Sequence, residues 1–136
     1  MDKPKRISFV IAGVISLLFF VFHIFFFQLF NWKERLISLN HNNWAIFQTF
    51  NLVAILMAGM ITYFSFRHPT ELVQTSLGKS LLVAFSLFYL IRIVSQFIYF
   101  GYQGIGSLMI VVLCLIPALI YLWISFSRPS AKETAA

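Results

Sequence analysis

Arg92 raises the chemical question in this sequence, because it lies inside an apolar run long enough to cross a membrane, residues 80–100. The four acidic residues of the chain lie in tails, in connections or at run ends: Asp2, Glu34, Glu71 and Glu133. A guanidinium in hydrocarbon is costly unless it meets an anion or other polar groups. The sequence therefore predicts that Arg92 has a partner other than a carboxylate of its own span.

Other polar residues occur at a similar depth in neighbouring apolar runs. His23, Asn51 and Arg92 each lie seven or eight residues from the run ends that an antiparallel arrangement brings together, or about 10–12 Å at about 1.5 Å per helical residue. Helical spacing places Tyr89, Gln96 and Tyr99 on the face of Arg92. It also places Gln48 on the face of Asn51. We predict a ligand-binding site, walled by the first three spans, formed by Arg92, His23, Asn51, Gln48, Gln96, Tyr89 and Tyr99.

Several partners for Arg92 stay open at this stage. The guanidinium can join a self-contained network with amides, a tyrosine hydroxyl and backbone carbonyls. It can bind a buried anion such as a lipid phosphate or a carboxylate, because its planar fork suits these groups. It can also pair with an acidic residue of a partner subunit, or reach toward the headgroups.

His23 has a similar set of alternatives. A neutral imidazole in the polar network, a proton relay and a ligand-binding histidine all fit an intramembrane position. A haem or metal ligand fits less well, since His41 and His68 lie in connections and zinc needs three or four ligands. The sequence predicts no cofactor and no metal site.

Motifs of hydrolytic and phosphate-handling enzymes are absent from the sequence. It contains no Gly-rich phosphate loop, no GxSxG, no HExxH and no pair of carboxylates within a span. Its only cysteine, Cys114, excludes an internal disulfide and a cysteine metal cluster. We expect a protein that is not an enzyme.

Composition places these residues in an integral membrane protein. Of 136 residues, 60% are hydrophobic and 10% charged, and the mean hydropathy is +0.89. A soluble domain carries about a quarter charged residues. Apart from Arg92, the basic residues behind the net charge of +6 lie at span ends and form no surface stripe, which argues against nucleic-acid binding.

Four apolar runs predict an all-α transmembrane four-helix bundle that occupies the whole chain, residues 1–136, as a single domain. The predicted spans are residues 7–30, 44–66, 80–100 and 105–126, each near the length that crosses about 30 Å of hydrocarbon. The first is too long for a secretory signal, so we expect it to remain uncleaved.

Short connections favour up-down-up-down topology. Seven Lys and Arg on one side against two on the other place both termini in the cytoplasm, which puts the predicted site in the outer half.

The connections carry local signals of their own. Trp32, Leu36 and Leu39 have helical spacing, and Asn31 with Glu34 resembles a reciprocal cap, so a short interfacial helix is expected. The asparagines of residues 40–43 suit the N-cap of the second span. In the second connection, Pro69 suits the start of a short helix and Gly78 its end. The third connection, GYQG, predicts a glycine turn.

Three segments resemble small four-span bacterial membrane proteins of unassigned function: FHIFFFQLFNWKERL, WAIFQTFN and LFYLIRIVSQFIYF. The resemblance is one of general pattern and covers about residues 20–105. It implies a bacterial inner-membrane setting and a four-helix bundle, and it carries no activity.

The leading functional hypothesis is a protein that binds a membrane lipid or another small amphiphilic anion without performing chemistry. The first alternative is an accessory subunit of a larger membrane complex, with Arg92 paired to a partner carboxylate. The second is an oligomeric transporter or channel that associates through small-residue faces at residues 54–58 or 80–84.

Overall fold

A computed structural model describes residues 3–36 and 40–127, and these residues fold almost entirely into helices. Seven α-helices and one π-helical turn follow each other in chain order: α1 (Lys3–Ile24), α2 (Phe26–Leu29), α3 (Trp32–Arg35), α4 (His41–Arg67), α5 (Pro69–Gln74), α6 (Ser76–Ser95), the π-helical turn (Gln96–Phe100) and α7 (Ile105–Phe126). The described residues include no β-strand, which confirms the all-α prediction.

Four of these helices are long and apolar enough to cross a membrane: α1, α4, α6 continued by the π-helical turn, and α7. They have 22, 27, 25 and 22 residues, close to the roughly 20 needed to span hydrocarbon. Their positions follow the four predicted runs, with one difference at the first. Helix α1 ends at Ile24 rather than at residue 30, because the helix breaks at Phe25 and resumes as the short α2.

Packing joins the long helices in three main pairs, α1 with α4, α1 with α7, and α6 with α7. His23 bonds Asn51 while Gly13 lies against Phe66, so α1 and α4 run antiparallel. Helices α6 and α7 do so too, since Ser86 donates to the carbonyl of Ala118 and Gln96 reaches Ser107. The pair α4 and α6 makes fewer close approaches.

Caps define several of the helix starts. The Asn40 side chain accepts from the Asn43 N–H at 2.9 Å, which confirms the predicted cap of the second span. Pro69 begins α5 as predicted. The expectation for Gly78 was wrong: it lies in the first turn of α6, where its N–H donates to the Thr75 hydroxyl at 2.8 Å. The chain turns earlier than predicted because Thr75 caps a new helix.

The expected reciprocal cap at Asn31 was also wrong. Asn31 adopts a left-handed conformation with φ of 49° and makes no side-chain capping bond, so α3 is a single turn of four residues. Leu39, the last residue of the predicted interfacial helix, lies outside the described residues. The glycine turn of residues 101–104 is confirmed by positive φ at Gly101 and Gly104, 64° and 84°.

The densest core lies toward the bundle end that carries the α1 N-terminus and α5. Phe9, Leu72, Phe85 and Tyr121 are each at most 2% exposed there. Four buried hydroxyl groups cross this core, one from each long helix, and form what we call the hydroxyl cluster: Ser16, Ser65, Tyr89 and Tyr121. At the opposite end α4 exposes large apolar side chains, such as Phe50 at 68%.

Candidate functional site

A cavity of about 390 Å³ lies between the four long helices, on the side of Tyr89 away from the dense core. Helix α4 contributes apolar residues, Phe50, Ala54 and Ala58, while α1 and α6 contribute further aromatic rings. The polar lining groups are few: His23, Tyr89, Arg92, Ser95 and Cys114. A mostly apolar pocket with a few convergent polar groups is typical of small-molecule sites.

All four long helices wall this cavity, whereas the sequence predicted only the first three. Cys114 of α7 lines it and is fully buried. Ser107, also on α7, supports the site from behind through Gln96. Sequence reasoning missed both residues because neither is strongly polar, and side chains of this size are common on span surfaces for packing reasons alone.

The Arg92 guanidinium is hydrogen-bonded at one nitrogen and has no hydrogen-bond partner at another within the part of the chain that the structure describes. Its Nη2 donates to Gln96 Oε1 at 3.0 Å, and its central carbon lies 5.2 Å from the centre of the Phe100 ring. Its Nη1 is buried and finds no hydrogen-bond acceptor within residues 3–36 and 40–127. A buried donor without a partner carries the cost of its desolvation.

Gln96 connects Arg92 to the turn that follows α6. The side chain is 4% exposed, and its Nε2 donates to the Gly101 carbonyl at 3.1 Å and to Ser107 Oγ at 3.4 Å. Ser107 Oγ also accepts the Gln103 N–H at 2.9 Å. Because a carbonyl only accepts, the amide NH₂ must face Gly101 and the amide oxygen must face Arg92. Gln96 therefore orients the guanidinium rather than lining the cavity.

His23 and Asn51 form a two-bond contact between α1 and α4. His23 Nδ1 lies 3.0 Å from Asn51 Oδ1, and Asn51 Nδ2 donates to the His23 carbonyl at 3.2 Å. The imidazole stacks on Phe26, with ring centres 5.3 Å apart and planes 11° from parallel. Its position is thus fixed on two sides, and it lines the same cavity as Arg92.

The remaining predicted site residues are placed apart from the guanidinium. Tyr89 lines the cavity with its ring, but its hydroxyl donates to Ser16 at 2.7 Å and belongs to the hydroxyl cluster. Gln48 is not among the residues that line the cavity; its buried Nε2 has no hydrogen-bond partner in the described part of the chain.

Tyr99 lies outside the cavity, with 79% of its surface exposed. The sequence expectation assumed α-helical spacing from Arg92 to Tyr99. The last turn is π-helical instead, and its i→i+5 bonding changes the direction of the side chains that follow.

No carboxylate of residues 3–36 or 40–127 lines the cavity. The acidic residues of these ranges, Glu34 and Glu71, lie on α3 and α5. The arrangement can therefore offer a fixed positive charge, a histidine and a large apolar surface to a bound molecule.

Comparisons with models of known protein families, with curated proteins and with solved structures each found no match for this chain.

Proposed function

We propose that this chain is a multi-pass membrane protein that binds a lipid or another small amphiphilic anion in the cavity beside Arg92, without catalysing a reaction. The observation that carries the proposal is the buried Nη1 of Arg92, which has no acceptor among the described residues and belongs to a side chain that lines an apolar cavity. An oxygen of a phosphate or carboxylate supplies the missing acceptor. The alkyl part of the same molecule suits the phenylalanine and alanine lining.

The energy balance favours an anion over an empty pocket. An arginine near the middle of a span costs about 2.5–3.5 kcal/mol on insertion scales, and its retention needs a compensating contact. Charge-assisted hydrogen bonds are about twice as strong as neutral ones. A cavity of about 390 Å³ also falls within the range of small-molecule pockets.

The charge distribution supports an orientation with both termini in the cytoplasm and the helices running up-down-up-down. Lys and Arg number seven on the side of the termini and two on the other, as the positive-inside rule requires. In this orientation the cavity lies in the outer half of the membrane. The resemblance to small four-span bacterial proteins favours the bacterial inner membrane.

Native mass spectrometry tests the proposal with phosphatidylglycerol as the probe. We expect wild-type protein to retain one phosphatidylglycerol through a neutral detergent and Arg92→Gln to retain at least about tenfold less. Arg67→Gln is the matched control, because Arg67 is an exposed cation at the end of α4 and lies outside the cavity. Equal lipid adducts on wild type and Arg92→Gln would remove Arg92 from the binding role.

Cys114 provides a second readout inside the same cavity. It is the only cysteine of the chain, it lines the pocket, and it is fully buried. Because a buried thiol is alkylated only when the surrounding helices open, the rate of alkylation by a small maleimide reports on opening of the cavity. We expect phosphatidylglycerol to slow alkylation in wild type and not in Arg92→Gln. Phosphatidylcholine, which has no net charge, is the control lipid.

The accessory-subunit hypothesis has an observation of its own. In α4, 11% of an apolar 18-residue stretch is buried, against 28% in each of the other three long helices. A large apolar face of α4 is therefore available to a neighbouring chain. Arg92 would then pair with a carboxylate of the partner. A chain that purifies alone with co-extracted lipid contradicts this alternative, and a chain that is stable only with a coexpressed partner supports it.

The transporter or channel alternative requires an oligomer, and one of its two predicted contact faces is not free. Ala58 is 1% exposed and Ala54 lines the cavity. The face of residues 80–84 remains, because Ser80 and Ala84 are both exposed.

A further inference from the structure

The two bonds between His23 and Asn51 determine which way the amide points. Asn51 Nδ2 lies 3.2 Å from the His23 backbone carbonyl, and a carbonyl oxygen can only accept. The amide nitrogen must therefore face that carbonyl, which leaves Oδ1 facing the imidazole.

The amide oxygen in turn determines where the imidazole carries its proton. Asn51 Oδ1 lies 3.0 Å from His23 Nδ1, and two acceptors cannot bond each other, so Nδ1 carries a hydrogen. A neutral imidazole has one N–H. In its neutral form His23 therefore presents Nε2 as an unprotonated acceptor, and Nε2 has no hydrogen-bond partner within residues 3–36 and 40–127.

The cavity thus combines a permanent cation with a group that can take up a proton. Arg92 comes from α6 and His23 from α1, and both line the cavity. The other groups that face this space are the Tyr89 ring and Ser95 on α6 and the Cys114 thiol on α7; α4 contributes Asn51 through its bond to the imidazole. No carboxylate of the described residues lines the cavity, so only Arg92 and His23 can supply positive charge there.

We propose that the pocket binds its anion together with one proton, with the anion between Arg92 Nη1 and a protonated Nε2–H of His23. This inference rests on the proposed function and adds the proton to it. The charge balances, because the empty pocket carries one positive charge from Arg92, and an added monoanion and an added proton leave that total unchanged. The anion offsets the Arg92 charge, and the proton on Nε2 gives the anion a second charge-assisted hydrogen bond.

The proton has two possible sources that give the same bound state. A permanent anion such as a phosphodiester binds while His23 takes a proton from water. A protonated carboxylic acid instead gives its own proton to Nε2, so that the acid O–H bond breaks, the Nε2–H bond forms, and the carboxylate remains against Arg92. The ligand class favoured by this pocket is an amphiphilic weak acid, or a lipid anion taken up with a proton.

The pH dependence of binding tests the inference. We expect wild-type protein in phosphatidylcholine nanodiscs to bind phosphatidylglycerol more weakly as the pH rises, by up to about tenfold per pH unit between about pH 5.5 and pH 8.5. Phosphatidylglycerol keeps a single charge over this range, so the dependence belongs to the protein.

Two variants assign the dependence to His23. In His23→Asn the amide nitrogen replaces Nδ1–H as the donor to Asn51, but the side chain cannot be protonated, and we expect its affinity to be independent of pH. In His68→Asn, a change at a partly exposed residue next to α5, we expect the wild-type slope. A flat profile in wild type, or an unchanged slope in His23→Asn, overturns the proton uptake.

The two proposals fail in different ways. Binding that depends on Arg92 but not on pH overturns the proton uptake and leaves the binding function standing. Binding that does not depend on Arg92, or no binding, overturns both.

Nitrogen NMR gives a test that needs no change at the site. The chain has three histidines, so His41→Asn combined with His68→Asn leaves His23 as the only one. We expect ¹⁵N shifts of the Nδ1-protonated neutral form without ligand, and of the doubly protonated form after phosphatidylglycerol is added. An Nε2-protonated neutral ring without ligand overturns the assignment.

Discussion

Gln96 binds one nitrogen of the Arg92 guanidinium, while another nitrogen, Nη1, has no acceptor among the described residues. The Gln96 amide oxygen accepts from Arg92 Nη2, and its amide nitrogen is tied to the Gly101 carbonyl and the Ser107 hydroxyl. A long flexible side chain in an apolar setting is thereby restricted to a narrow range of positions. Such restriction lowers the entropy cost of binding.

Replacing Gln96 by Leu tests this role. The change leaves Arg92 Nη2 and the Gly101 carbonyl without their partners, and each buried unsatisfied group costs about 1–3 kcal/mol. We expect a lower melting temperature and weaker phosphatidylglycerol retention, both measured in the same detergent. Gln103→Leu is the control because that side chain is exposed; an equal loss in the control would contradict the assignment.

At Tyr89 a single substitution can test packing and binding separately. Its ring lines the cavity while its hydroxyl is bonded to Ser16, so Tyr89→Phe removes a buried hydrogen bond and keeps the wall. We expect a loss of about 1 kcal/mol in the free energy of unfolding and unchanged lipid retention. Loss of retention in Tyr89→Phe, measured by native mass spectrometry, would show that the hydroxyl contacts the ligand.

At the scale of the element, the start of α6 depends on a glycine. A Cβ at Gly78 would lie 2.5 Å from the Leu72 Cα and 2.7 Å from the Leu72 carbonyl oxygen. Both are backbone atoms of α5, so relief requires α5 to move. Leu72 and Val73 are at most 2% exposed in the core, and such a movement would uncover them.

We therefore expect Gly78→Ala to destabilise the protein by about 1–3 kcal/mol, the usual cost of overpacking. Gly106→Ala is the matched control, since Gly106 lies within α7 and the added Cβ would meet no atom within 4 Å beyond its chain neighbours and the backbone of its own helix. We expect it to be neutral or stabilising by up to about 1 kcal/mol. Melting temperatures of the two variants, measured by thermal unfolding, test the expected difference in stability. Equal melting temperatures would show that α5 moves without cost.

The elements also show how far sequence reasoning reached. Arg92, His23 and Asn51 could be found because strongly polar groups in apolar runs are costly and their depth can be counted. Tyr99 was misplaced because nothing in QFIYF marks a π-helical turn. The hydroxyl cluster was missed, apart from Tyr89, because serine and tyrosine are tolerated in spans and their pairing depends on rotation about each helix axis.

At the scale of the whole molecule, the bundle has a densely packed end and a more open one. The core residues and α5 occupy the end that carries the α1 N-terminus, while the cavity lies nearer the other end. In the proposed orientation, which follows the charge count, the dense end faces the cytoplasm.

Reporter fusions test this orientation. Alkaline phosphatase, which is active only outside the cytoplasm, should be active when fused after residue 40 or after residue 102, and inactive after residue 75 or at the C-terminus. The expectation follows from the excess of Lys and Arg on the side of the termini. The opposite pattern of activity would invert the molecule and place the cavity in the inner half.

The hydroxyl cluster has a mechanical consequence for the cavity. A hydrogen bond from Tyr89 to Ser16 at 2.7 Å joins α6 to α1, and one between Ser65 and Tyr121 at 2.8 Å joins α4 to α7. The contact of Ser16 with Tyr121 at 3.4 Å links the two pairs, so all four long helices are connected on one side of the pocket. If the helices tilt about the level of the cluster, the distance between them increases with distance from the cluster. Small tilts would thus separate the helices most at the cavity end, above all α4 from α6, which make few close approaches, and the proposed lipid would enter there.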